Sequence, residues 1–286
     1  MATPAAAELH NASYQAHDLS DGRQHITFLD PFTGEQLRPD RVPGSIEAQP
    51  HLRQGLDYLR SRGTSIDLSV YAAPNGDNSV HDMQELIDAF ESHDAIFLEG
   101  IGHTAVDRDL VWDVSASNKR TITEEEGQRF GPYGQRKLAA LVGQNKPTYF
   151  ADLPADGDSY DRYTMEWNGM VDTLGKMISD QNGDPESLAL AMGINLTATT
   201  ILREWYMLAT IGLELSRLDA AGYKSEKPLF LVGQMHGTTL LDKAAVLGVH
   251  TSVTEATMAE HGESRTVSIP FDFVKAVGAC AIETER

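Results

Sequence analysis

The sequence has one cysteine among 286 residues, Cys280, so no internal disulfide can form and a zinc site built on several thiolates is excluded. The same scarcity fits a reducing compartment. Basic residues are few as well: 23 Lys plus Arg stand against 42 Asp plus Glu, a formal charge of −19. A surface of that sign repels phosphate backbones and anionic lipid, which argues against nucleic-acid binding over a broad face. No apolar run approaches the roughly 20 residues of a membrane span. The start, MATPAAAELHNASYQAHDLSDG, lacks the basic and apolar regions of a secretory signal. A cytoplasmic protein is therefore expected. Missing too are G-x-x-x-x-G-K-[ST], G-x-G-x-x-G and G-x-S-x-G, which lowers the case for a nucleotide loop or a serine hydrolase.

What is present is an ordinary globular composition, 41% hydrophobic and 23% charged. Residues 1–22 are small and polar and read as a mobile leader; residues 23–286 read as a single domain. Gln24 to Arg38 suggests a small hairpin. Ile46 to Arg62 has Leu52, Leu56 and Leu59 on one helical face and stops at Gly63. Ile66 to Ala73 then reads as a strand, Ser79 to Asp82 as a capping box opening a helix to about Ser92, and Ala95 to Leu98 as a second strand. Thr123 with Glu126 forms another capping box, with a helix reaching about Gln144 before a strand over Thr148 to Ala151. Short apolar strands separated by helices predict an α/β fold with a mostly parallel central sheet. Residues 159–222 form a helical insertion broken at Asn182 to Pro185, its later part running from about Thr197 to Ala221. The last motif strand follows, Leu229 to Val232, and Thr238 or Thr239 is expected to cap a helix to about Leu247. Thr266 to Ile269 and Phe271 to Ile282 complete the chain as a strand and a closing helix.

In open α/β sheets ligands gather at the carboxyl ends of strands. The residues placed there are Asn75, Asp77 and His81, then Glu99 and His103, then Asp152, then Gly233 to His236. Glu99 ends the apolar run AIFLEG, where a carboxylate must find a cation, a metal or hydrogen-bond donors; a structural pairing with an Arg competes with a functional role. His236 stands at a strand-to-helix turn after Gly233, where an imidazole can reach over the sheet edge or simply bond to backbone. His103 follows Glu99 by four residues without an evident helix, and His81 fits a solvated structural role. Arg203, beside Glu204 on the long helix, can clamp an anionic group or hold Glu99 in place. Asp156, Asp158 and Asp161 lack the glycine and glutamate of an EF-hand and read as solvated. Trp205, Tyr206 and Met207 would form an interaction face if exposed, with core packing as the alternative.

Three segments, about a quarter of the chain, together resemble the TraB/PrgY/GumN (Tiki-like) family of the erythromycin-esterase/ChaN-like superfamily: DLSVYAAPNGDNSVHDMQELIDAFESHDAIFLEG, LREWYMLATIGLELSRL and KPLFLVGQMHGTTLLDKAAVLGV. The resemblance assigns Glu99 to the family glutamate and His236 to the histidine of the second G-x-x-H. At the first such motif the chain offers Pro74 for the glycine and Asp77 for the histidine. The resemblance thus implies a hydrolase of peptide or ester bonds acting on a small-molecule or peptide substrate. Asp77, Glu99 and His236 would surround a divalent metal cation, with a second carboxylate or His103 as a proton shuttle and Arg203 beside them. A non-catalytic ligand-binding or regulatory protein with a degenerate site is the alternative on the same fold.

Overall fold

The computed structural model describes residues 14–18, 24–28, 46, 48–73, 83–130, 134–157, 160–161, 163–164, 168, 185–255 and 281–284. Its centre is a five-stranded sheet whose neighbouring strands all pair in parallel. The strands are β3 (Asp67–Ala73), β4 (Ala95–Leu98), β5 (Thr148–Phe150), β6 (Pro228–Gly233) and β7 (His250–Glu255), in the order β5-β4-β6-β3-β7. This is the α/β architecture expected from the alternation of short apolar runs with helices. β7 had no apolar signal: HTSVTE is a polar edge strand, held by its register with β3 rather than by its own hydrophobicity.

Every residue of β4 and β6 is buried, and the two faces separate by parity. Ala95, Phe97, Phe230 and Val232 pack into one core; Ile96, Leu98, Leu229 and Leu231 pack into the other. A sheet covered on both sides explains why these strands read as continuous apolar runs instead of alternating ones.

The first face carries α1 (Pro50–Arg62), α6 (Pro185–Ala220) and α7 (Gln234–Val246). α1 buries Leu52, Leu56 and Leu59 and ends at Gly63, whose φ of +48° suits a residue without a side chain. α6 is 36 residues long and begins at Pro185, a position where the missing N–H costs nothing. It buries Trp205 and Met207 completely, so that trio is core and not an interaction face, apart from half-buried Tyr206.

The second face carries α2 (Met83–Glu91), α3 (Ala105–Ala116) and α5 (Gly134–Leu141). Two local readings change here. Thr123 and Glu126 do form a capping box, but its helix α4 stops at Gln128 (Glu124–Gln128), and the next described helix begins at Gly134. α3 had no clear periodic signal because exposed Val106 and Trp112 add apolar residues off its buried stripe of Leu110, Val111 and Val114. It starts instead from a capping box between Thr104 and Asp107, Asp standing where Glu or Gln is usual.

Two further corrections concern ends. α7 follows β6 directly with Gly233 at its N-cap, so Thr238 and Thr239 lie inside the helix. Tyr14–Asp18, within the expected leader, is strand β1. It pairs with β2 (Gln24–Phe28), which pairs with β8 (Ala281–Thr284) in a separate antiparallel sheet. Ile282, expected in a closing helix, is therefore in a strand. The readings at Asp77, His81, the Ser79 capping box, Thr266–Ile269 and most of the expected closing helix lie outside the described residues.

The topology singles out one place. β4 is followed by helices on the second face and leads outward to β5, while β6 is followed by α7 on the first face and leads the other way to β7. β4 and β6 are neighbours, so their carboxyl ends mark the point where connections diverge, the usual ligand position in such sheets.

Candidate functional site

Glu99 is the first residue beyond β4. Its backbone N–H still donates to Leu231 O at 2.9 Å, so the sheet fixes its place. By parity it continues Ala95 and Phe97, which puts its carboxylate on the side of α6 and α7. There Oε2 accepts the Gly233 N–H at 2.6 Å, at the start of α7, and Oε1 accepts Arg203 Nη2 at 2.9 Å. His236, in the first turn of α7, brings Nε2 to 3.4 Å from the same Oε1.

The contacts continue in both directions. Arg203 clamps Asp152, the second residue past β5, through Nη2 to Oδ2 at 2.5 Å and Nε to Oδ1 at 3.2 Å. Asp152 Oδ1 also accepts the Leu153 N–H at 2.8 Å, and the Tyr163 ring lies 5.4 Å from the guanidinium carbon. On the other side His236 Nδ1 is 2.9 Å from Glu204 Oε1, and Lys243 Nζ donates to Glu204 Oε2 at 2.6 Å. Asp152, Arg203, Glu99, His236, Glu204 and Lys243 thus form one chain of charged groups alternating in sign. It ties the ends of β4, β5 and β6 to α6 and α7. Glu99 is the outer member, with 21% of its side chain exposed against 5% for His236 and 0% for Glu204.

Charge alternation decides the protonation states. Burial by itself would push Glu99 up, but His236, Arg203 and the Gly233 N–H hold its carboxyl well below the usual range. Burial likewise opposes the charge on Glu204, and Lys243 with His236 brings its carboxyl down. Burial would lower His236, yet the Glu99 carboxylate and the Glu204 hydrogen bond overcome it and push the imidazole up to about 9. Near neutral pH the trio therefore holds two carboxylates with an imidazolium between them.

Three of the sequence-derived candidates, Glu99, Arg203 and His236, meet. His103 does not join them. Gly102 turns the chain at a φ of +72°, and His103 Nδ1 settles 2.9 Å from Gly100 O with its ring stacked 4.7 Å from Phe150. The members not singled out as site residues are Asp152, Glu204, Lys243 and Tyr163. Asp152 was visible as a strand-end carboxylate and Glu204 as the neighbour of Arg203. Lys243 carried no signal beyond lying about two turns after His236 on the same helical face.

The described donors alone do not complete a divalent-cation site. His236 Nδ1 faces Glu204, as the outer nitrogen of a metal-bound histidine commonly faces a carboxylate, so Nε2, 3.4 Å from Glu99 Oε1, is the one atom it could offer a cation. The Arg203 guanidinium already faces the Glu99 oxygen that a metal would share with His236. Among the described residues no group of three or more His, Cys, Asp or Glu side chains is arranged to hold a metal ion. Asp77, the third expected ligand, lies outside them.

No protein-family model, no curated protein and no solved structure matches the chain. No helix among the described residues is long and apolar enough to cross a membrane.

Proposed function

We propose that the chain hydrolyses an ester or peptide bond at the carboxyl ends of β4 and β6, with the His236–Glu99 pair as its proton donor. The observation that carries this reading is an imidazole held between a fully buried carboxylate, Glu204, and a partly exposed one, Glu99. Glu204 on Nδ1 orients the ring and stabilises its charge, the part a buried acid plays for a catalytic histidine. Because the pair already holds its proton near neutral pH, it must give that proton before it can take another. In the reaction water adds to the carbonyl carbon, the C–O or C–N bond breaks, and the departing atom receives the proton of the pair. The proton released by the water restores it. Arg203 is a positioning residue: it fixes the Glu99 carboxylate and offsets its charge.

Support comes from the switch-point location and from the resemblance to the TraB/PrgY/GumN family, whose glutamate and histidine positions meet here together with Arg203. The bond type and the small-molecule or peptide substrate follow from that resemblance. The reading uses no step through a metal. We place the protein in the cytoplasm on its single cysteine, which fits a reducing compartment. A second reading, ligand binding without turnover, is favoured by one observation: the described partners already satisfy both oxygens of Glu99 and both nitrogens of His236.

A panel of nitrophenyl esters and fluorogenic peptides separates the two. Hydrolysis above the buffer rate that falls about a hundredfold or more in both His236→Gln and Glu99→Gln, with the fold retained, supports catalysis. Absence of turnover across the panel, or turnover indifferent to both substitutions, removes it.

A further inference from the structure

A cavity of about 380 Å³, whose lining includes neither Glu99 nor His236, lies beside β5, the outer strand of the described sheet, between α3 and α6. That volume is within the roughly 300–1,000 Å³ of sites for small organic ligands. One wall is α3, which presents Arg108 and, four residues on, Trp112 on the same helical face. The other is a stripe of α6 from Tyr206 through Thr210 to Glu214, with Tyr149 of β5 as the floor. Trp112 is 43% exposed and meets Tyr149 edge-on, with ring centroids 5.6 Å apart.

The polar groups on these walls are not equivalent. Asp152 is taken by Arg203, and Glu214 is paired with Arg217. Asp109 is exposed, and His103 is bonded to Gly100 O. Arg108 has no side-chain hydrogen bond or ion pair among the described residues, and its charge is felt by His103, Tyr206 and Glu214, all lining the same space. A spare guanidinium beside aromatic rings matches a flat ring bearing a carboxylate: the fork binds both oxygens while the ring displaces water from the aromatic walls.

We propose that this cavity binds a small planar aromatic carboxylate, its carboxylate on Arg108 and its ring among Trp112, Tyr149 and Tyr206. The proposal is independent of the hydrolase reading, since it uses neither Glu99 nor His236. The test is calorimetric titration of the full chain near neutral pH with 2-naphthoate and with its neutral amide. The carboxylate is expected to bind about tenfold tighter than the amide, one charge-assisted contact's worth. That gap closes in Arg108→Met, and Thr210→Trp, which fills the cavity from the opposite wall, abolishes binding of both. Circular dichroism and a thermal melt establish that each variant is folded. Equal affinity for acid and amide, no binding at millimolar concentration, or binding that survives Thr210→Trp overturns the proposal.

Discussion

Arg203 and Glu204 are consecutive on α6 and turn opposite ways: Arg203 reaches Asp152 and Glu99 at the ends of β5 and β4, and Glu204 reaches His236 and Lys243 on α7. One turn of one helix therefore ties the sheet edge to the neighbouring helix through alternating charges. The groups are buried, so each has lost hydration that only its neighbours replace.

Removing one link leaves its partners stranded. Glu204→Gln takes the anion away from Lys243 and His236 at once and is expected to destabilise the fold by about 3–5 kcal/mol in urea denaturation. Glu204→Met combined with Lys243→Met removes both charges of the inner pair and should recover much of that loss. If the double variant is no more stable than Glu204→Gln, the pair is not the source of the cost.

Stability should also follow pH in a defined direction. The folded value of His236, about 9, exceeds its ordinary 6.5, so its contribution is complete below about 6.5 and disappears as pH rises through about 9. The difference is worth roughly 3 kcal/mol. Glu99 and Glu204 are depressed from 4.5, so their contribution is present above that value and lost as pH falls through their folded values. Denaturation midpoints are thus expected to peak between those limits, with an alkaline decline that His236→Gln removes.

The sheet was legible because its central strands are buried on both faces: AIFL and LFLV read as apolar runs wherever they stand. Glu99 was legible for the same reason, a charge at the end of such a run. What escaped was set by partners distant in sequence. β7 owes its strand to pairing with β3, and α3 owes its start to an aspartate cap that an apolar periodicity misses. Lys243 looks like any helical lysine until α6 delivers Glu204 to it. The spacing of His103 after Glu99 fixed no shared face, and the turn at Gly102 sends His103 to Phe150.

Arg203 is expected to tolerate no conservative exchange. Arg203→Lys keeps the charge, but one ammonium cannot hold both oxygens of Asp152 and still reach Glu99. A loss of about 1–3 kcal/mol is predicted, with the pH limb set by His236 shifted. Unchanged stability together with an unchanged pH limb would show that the bidentate geometry is dispensable.

The platform for this chain is the close crossing of α1 and α6. A Cβ on Gly212 would sit 2.0 Å from Gly55 O, and one on Gly55 would sit 1.9 Å from Ala209 O. Backbone cannot yield cheaply, so Gly212→Ala and Gly55→Ala should each cost about 1–3 kcal/mol or more, read as a lowered denaturation midpoint. Wild-type stability in either would place the helices farther apart than described.

The charge state of His236 is the point on which the rest turns, and nitrogen-15 NMR of its imidazole reads it directly. Both ring nitrogens should be protonated near neutral pH, the ring should titrate near 9, and Glu99→Gln should lower that value. A neutral ring at that pH, titrating at or below 6.5, would contradict the account.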